Sequence, residues 1–409
     1  MEHNSYTNRL VNQITLTEYQ TCSLARSDFL ESDAERIYRE YRDKINIDWP
    51  TPKTNYCWQL TSLGWVGYIP LGQNNGITLK PKSPIINLFK MLEYAYDLKS
   101  FKLLEGLYDI ESIRDFYERL ATILAEKVMT RVRQGLYRKY IEEHLARSFI
   151  RGKMDMTALC RTPVKSKIFC FSENHTIDIS DNQIITWTLF IIARSYLLSR
   201  EQSLRLIYKA DRMLRNSISL KYFNGLDCIN RNYNRLNADY EVLHKLCRFF
   251  LENTAPTLNT GDRSMIPFLV DMSRLFELFV ARWLKDNINP KFDLRIQESR
   301  NICQQNNLRI QMDILITDRE SGRPLCVVDT KYKVDNTVAN IDYYQVIAYS
   351  DAVGCRNAVL IYPGELTTPF DAKPGGIRVR TATFDLGKDL DVAGKNLLQH
   401  LYEILEDAN

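Results

Sequence analysis

Between Leu308 and Ile316 every second residue is apolar: Leu308, Ile310, Met312, Ile314 and Ile316 alternate with Arg309, Gln311 and Asp313, and Thr317 follows. A period of two is that of a strand with one buried face, and it puts Asp313 on the polar face. Asp318 to Gly322 reads as a turn, and Leu325-Cys326-Val327-Val328 starts a second, more buried strand. In that strand Asp329 and Lys331 point one way and Thr330 the other. With the hairpin centred near Glu320, Asp313 is expected opposite Val327 and diagonal to Asp329, roughly 7 to 8 Å away. Charges that interrupt an apolar strand cost free energy unless they are paired or bound to metal.

Two carboxylates at that separation can share a divalent ion. Carboxylate oxygens suit Mg²⁺, which keeps several waters and accepts phosphate oxygens, and such an ion lowers the pKa of a water and neutralises charge on a transferring phosphate. Lys331 could orient the attacking water or stabilise the pentavalent state. This is the layout of a metal-dependent phosphodiesterase. An Asp-x-Lys triplet by itself is also what a solvated strand edge carries.

At 409 residues the chain has room for two or three domains. A net charge of +4 offers no strongly basic tail, so nucleic-acid contact must come from local patches. Nine cysteines without a C-x-x-C fit neither a zinc site nor a disulfide framework and point to a reducing cytoplasm. The opening Met1-Glu2-His3-Asn4 lacks a basic region running into an apolar core, so no signal peptide is expected. The apolar stretch Trp187 to Leu198 is short, carries Arg194 and reads as a core helix, so no membrane partner is expected.

The expected fold class is multidomain α+β, in three parts. Residues 1–85 form a small β-rich domain, with aromatic strands such as Trp65 to Leu71 and a capping box Ser32-x-x-Glu35 opening a helix through Tyr41. Short strands there are separated by Gly72 to Gly76. Residues 86–255 are mainly helical: Ile113, Phe116, Leu120, Ile123, Leu124 and Val128 form a 3.6-residue stripe that continues into Arg131, Arg133, Arg138 and Lys139. That basic cluster could touch phosphate or be a solvated helix face. Phe149 to Asp155 and Lys167 to Ile179 read as a strand-and-loop excursion, and Asn182 to Leu214 as one long helix or a helical pair. Residues 256–409 read as an amphipathic helix from Leu269 to Trp283, three strands, a helix from Ile341 to Ala352, further strands and a last helix from Leu390 to Leu405. That order predicts an α/β/α sandwich around a mixed sheet.

With that element order, the third part resembles the PD-(D/E)xK nuclease fold. More narrowly, "FLVDMSRLFELFVARWL", "IQMDILI", "VVDTKYK" and "YYQVIAYSDAVGCRNAVLIYP", with "VGYIPL" and "FIRGKMDM" upstream, resemble the McrC family, the nuclease subunits of McrBC-type modification-dependent restriction systems. The resemblance implies that Asp313 and Asp329 bind Mg²⁺ (Mn²⁺ substituting), that Lys331 is the catalytic lysine, and that Glu277 adds an acidic metal ligand; a helix-stabilising role is the other reading of Glu277. Gln345 and Tyr349, one helical turn apart, match a Gln-x-x-x-Tyr pattern that supports the site or contacts DNA. Met312 departs from the proline often found before the first aspartate.

The chain has no G-x-x-x-x-G-K-[ST] run, so it has no P-loop for a nucleotide. Proteins of this family work with a separate AAA+ GTPase, McrB, a hexamer, and the resemblance implies that residues before about 255 dock into its pore. Three functions are therefore in play. The first is a Mg²⁺-dependent endonuclease subunit acting on modified double-stranded DNA with that motor. The others are a non-catalytic adaptor that grips DNA and activates the GTPase, and a stand-alone repair-type nuclease.

Overall fold

A computed structural model describes residues 13–71, 75–98, 112–161, 167–195, 197–254, 267–303, 308–333 and 338–406. The chain divides into two compact units, Met1–Ile113 with Pro267–Asn409, and Arg114–Ile266. The three consecutive segments read from the sequence are thus not how the chain packs: the amino-terminal residues share a unit with the carboxy-terminal ones.

The first unit opens with β1 (Gln13–Thr17), β2 (Thr21–Leu24), α1 (Glu31–Glu40), β3 (Ile45–Asp48), β4 (Trp58–Ser62), β5 (Trp65–Pro70), β6 (Gly76–Lys80) and α2 (Ile85–Ala95). β2, β4 and β3 form one antiparallel sheet. Leu16, Ile37, Ile47, Trp58, Leu60, Ile77 and Leu79 are buried together, so these aromatic and branched residues are core. The expected capping box is not formed: α1 begins at Glu31, its N-cap is Leu30, and no side chain caps it. Of the expected Gly72–Gly76 turn, residues 72–74 lie outside the described residues.

In the second unit come α3 (Ile113–Gln134), β7 (Lys139–Arg147), β8 (Lys153–Met154), α4 (Met156–Arg161), β9 (Ile168–Thr176), α5 (Ser180–Arg194), α6 (Glu201–Arg215) and α7 (Ala238–Asn253). The helix expected to run on through Arg138 and Lys139 stops at Gln134, where Gly135 turns the chain with φ +95. Lys139 then starts a strand paired with β9 along its whole length. Residues 182–214 are a helical pair. Tyr117 meets Phe250 edge to face at 5.1 Å, and Ile184, Leu189, Ile207, Leu214 and Leu246 are buried with them.

The first unit resumes with β10 (Phe268–Asp271), α8 (Met272–Asn287), β11 (Phe292–Cys303), β12 (Leu308–Asp318), β13 (Pro324–Thr330), α9 (Asn340–Val353), β14 (Asn357–Tyr362), β15 (Asp371–Ala372), β16 (Arg378–Thr383) and α10 (Leu390–Glu406). β10 replaces the first turn of the helix expected from Leu269. Asp271 then caps α8, accepting hydrogen bonds from the N–H groups of Ser273 (2.9 Å) and Arg274 (3.2 Å). β10 pairs antiparallel with β5 and completes the sheet β1-β6-β5-β10, which is why the two ends of the chain fold together. Only glycine fits at Gly67 (φ +149), where a Cβ would stand 2.0 Å from the Phe268 carbonyl oxygen.

The site is carried by a six-stranded mixed sheet in the order β11-β12-β13-β14-β16-β15. β11, β12 and β13 are antiparallel, while β13, β14 and β16 are parallel. Leu315, Val327, Ala358, Leu360 and Val379 pack with Val346 of α9. Their alternating neighbours Ile314, Ile316, Val328, Val359 and Ile361 are buried as well, so the centre of the sheet is covered on both faces. No helix among the described residues is long and apolar enough to cross a membrane.

Candidate active site

In the β12–β13 ladder Ile314 pairs with Val328 and Leu315 with Val327. Continued by one step, that register sets Asp313 directly opposite Asp329, not opposite Val327 as expected. Two steps at the turn make up that shift of two residues: Thr317 pairs with Pro324, which centres the hairpin between Glu320 and Ser321, and a bulge between that pair and Ile316–Cys326 adds one residue to β13. The two carboxylates are therefore closer in register than a regular hairpin would make them.

Asp313 is partly exposed, whereas Asp329 is 1% exposed. Asp313 Oδ2 accepts hydrogen bonds from both the N–H and the Oγ1 of Thr330, each 2.8 Å, which fix its rotamer. Burial, and then the charge of Asp313, push the Asp329 pKa up to about 7, against the pull of Lys331. Lys331 Nζ lies 2.7 Å from Asp329 Oδ2, an oxygen that takes no well-directed hydrogen bond. The same ammonium donates to Gln345 Oε1 at 2.9 Å and stands 4.0 Å from Asp342. Burial opposes its charge, but the surrounding carboxylates outweigh that and raise the Lys331 pKa. Gln345 Nε2 in turn donates to Tyr349 Oη at 2.6 Å, as their spacing on one helix face predicts.

Asp313, Asp329, Lys331 and Gln345 are thus brought together. Glu277, partly buried on α8, accepts a hydrogen bond from Gln297 Nε2 at 3.2 Å. Burial and then the charge of Asp313 raise its pKa. Among the described residues no three His, Cys, Asp or Glu side chains are grouped so as to hold a metal ion. Glu277 therefore feels Asp313 without sharing a three-carboxylate cluster with it. The pair Asp313 and Asp329 does fit a hard divalent cation: both offer oxygen ligands, their charges oppose each other, and a buried Asp329 oxygen lacks a directed donor.

A profile of the family described as McrBC 5-methylcytosine restriction system component matches residues 60–363. The chain belongs to that McrBC family. One chain of the refined half-complex from the tetradecameric assembly of Thermococcus gammatolerans McrB AAA+ hexamers with bound McrC is similar in fold, at 18% identity and a TM-score of 0.57, over 96% of this chain and 100% of that one. A chain of the cryo-EM structure of the T. gammatolerans McrBC complex aligns at 18% identity and a TM-score of 0.43, over 68% of this chain and 88% of that one. No curated protein matches.

Three residues of this McrBC-family site escaped the sequence reading. Gln297 sits in β11 between the pairs Ile296–Ile314 and Glu298–Met312, hence across from Asp313, and its φ is +52, rare for a residue with a side chain. Nothing in the letters around it marks that conformation. Asp342, buried in the first turn of α9, bonds Lys333 Nζ at 2.6 and 2.9 Å. Its spacing of three from Gln345 puts both on one helix face and was the available signal. Thr330 is the third. In the second unit the basic cluster is partly engaged within that unit: Arg131 donates to the Leu236 carbonyl at 3.0 Å, and Lys139 pairs with Asp181 at 2.8 Å.

Proposed function

We propose that this chain is the Mg²⁺-dependent endonuclease subunit of an McrBC-like restriction system, cutting double-stranded DNA together with a separate McrB-like AAA+ GTPase. The observation that carries the reading is the convergence of Asp313, Asp329, Lys331 and Gln345 on the β12–β13 hairpin and α9, in a chain of the McrBC family. The order of its sheet and helices supports reading this part as a PD-(D/E)xK core. The partner is supported by fold: the similar T. gammatolerans chain belongs to an assembly of McrB AAA+ hexamers with bound McrC.

A divalent cation held by Asp313 and Asp329, with Mn²⁺ able to replace Mg²⁺, would supply an activated water and neutralise charge on the phosphate. The chain's own groups do the rest. Lys331, its pKa raised by its carboxylate neighbours, stays cationic at neutral pH and stabilises the charge that develops on the phosphoryl oxygens. Gln345, oriented by Tyr349, holds the ammonium in place, and Thr330 holds the Asp313 carboxylate. Glu277 stands beside the acidic pair, its pKa raised by burial and then by the charge of Asp313.

The test is cleavage of modified duplex DNA by the complex of this chain with its AAA+ partner, with GTP and Mg²⁺. Asp329→Ala and Lys331→Ala are each expected to slow cutting by at least about 10²-fold while leaving stimulation of GTP hydrolysis intact. Cutting at the wild-type rate by either variant would sink the assignment. Stimulated GTP hydrolysis with unbroken DNA in the wild type would favour the adaptor, and full cleavage without the partner would favour a stand-alone nuclease.

A further inference from the structure

Next to the site lies a cavity of about 210 Å³ to which none of these roles extends. Five separate stretches of chain wall it, among them Lys82, Ser83, Tyr332, Lys333, Gly364 and Gly387. The walls are tied in place. Glu18 Oε2 accepts from the Lys82 N–H and from Tyr332 Oη, both at 2.9 Å. Asn87, buried in the first turn of α2, donates to the carbonyls of Leu386 and Lys388, both at 2.9 Å, and so locks that helix to the Gly387 loop. A cavity bounded this way is formed before any ligand arrives.

Its chemistry is that of an anion site. Lys82 is exposed, and Lys333 adds a second ammonium, shared with Asp342. Ser83 Oγ is buried and, among the described residues, makes no hydrogen bond. α2 starts beside the cavity at its N-cap Pro84, which gives no side-chain cap, so the partial positive end of the helix adds to the field. A Cβ on Gly364 would meet nothing within 4 Å, leaving main chain open on that side. Three acids border the walls: Glu18, 1% exposed, whose pKa burial raises; Asp342, which takes up Lys333; and Asp385, which accepts from the Gly387 N–H at 2.9 Å.

Lys333 follows Lys331 by two residues, about 7 Å of extended chain, and successive phosphates of one DNA strand advance about 3.4 Å along the duplex axis. The geometry points to a subsite for a DNA backbone phosphate one or two steps from the scissile one, held by Lys82, Lys333 and the Ser83 hydroxyl. The assignment rests on the endonuclease reading and names where its substrate is gripped.

The experiment uses the full chain with its AAA+ partner and fluorescein-labelled duplexes, each with one uncharged methylphosphonate at a successive position around the cut. Cleavage is read with Mg²⁺, and binding by anisotropy in EDTA. The wild type is expected to lose roughly tenfold, the share of one charge-assisted hydrogen bond, at a single position one or two phosphates from the cut. Lys82→Ala should lose a similar factor on the all-phosphate duplex, be indifferent to that methylphosphonate, and lower the salt slope of binding by about 1. Lys82→Arg should keep most of the affinity, and Ser83→Ala should lose a few-fold. Wild-type behaviour of both Lys82→Ala and Ser83→Ala, or equal sensitivity of Lys82→Ala at every position, overturns the subsite. If no DNA is cut while the position-specific loss of binding persists, the nuclease reading falls and the subsite stands.

Discussion

The molecule contains two antiparallel strand pairs that share a hydrogen-bond pattern and little else, β12–β13 and β7–β9. In the first, Ile314, Leu315, Ile316, Val327 and Val328 have no exposure; in the second, Tyr140 is 69%, Leu145 46% and Phe171 46% exposed. The acids differ accordingly. Asp329 is pushed up to about 7, chiefly by burial, whereas Asp155, beside β8, is pulled below its usual range, first by the Ala158 N–H. A backbone ladder alone does not raise a carboxylate's pKa. Covering both faces of the sheet does, because it removes the water that would otherwise hold the charge.

The largest expected effect sharpens that contrast. Leu315→Ala should cost about 2–5 kcal/mol of stability, and Leu145→Ala should stay within about 0.5 kcal/mol, both read from urea unfolding. Equal losses would show that the ribbon is as well packed as the central hairpin.

A smaller effect concerns the dry carboxylate itself. The folded pKa of Asp329 is raised, so between about pH 4 and 7 the folded state binds more protons than the unfolded one, and stability falls as pH rises through that window. Asp329→Asn should therefore stabilise the metal-free protein by roughly 2–4 kcal/mol above pH 7 and by nothing below about pH 4. Mg²⁺ should raise the melting temperature of the wild type more than that of the variant. A gain independent of pH would show that Asp329 is not held in a desolvated state.

The smallest is at Gln297. Relieving its left-handed backbone with Gln297→Gly should gain about 1 kcal/mol, while removal of its hydrogen bond to Glu277 slows cleavage. A variant both less stable and fully active would place the Gln297 side chain outside the site.

The strands around Asp313 and Asp329 were legible because period-two alternation and a Val-rich run leave few other ways to bury those side chains. The Gln345–Tyr349 bond was legible for the same kind of reason, since helix spacing alone makes the two residues neighbours. The register was not. It turned on the exact centre of the turn and on a bulge near Leu325, neither of which a letter announces, and together they moved the partner of Asp313 from Val327 to Asp329. β7 was hidden because Lys139 to Arg147 mixes charges without alternation on a ribbon with little core to specify it.

Local patterns thus determined which residues form strands and helices and which carry charge, because periodicity and turn chemistry act within a few residues. Only the tertiary structure decided that β10 joins β5, so that the first and last parts of the chain form one unit, and that Gln297, Thr330 and Asp342 gather around the acidic pair. Those contacts join positions far apart in the chain, and their energies depend on burial and register. Neither exists until the sheet is assembled.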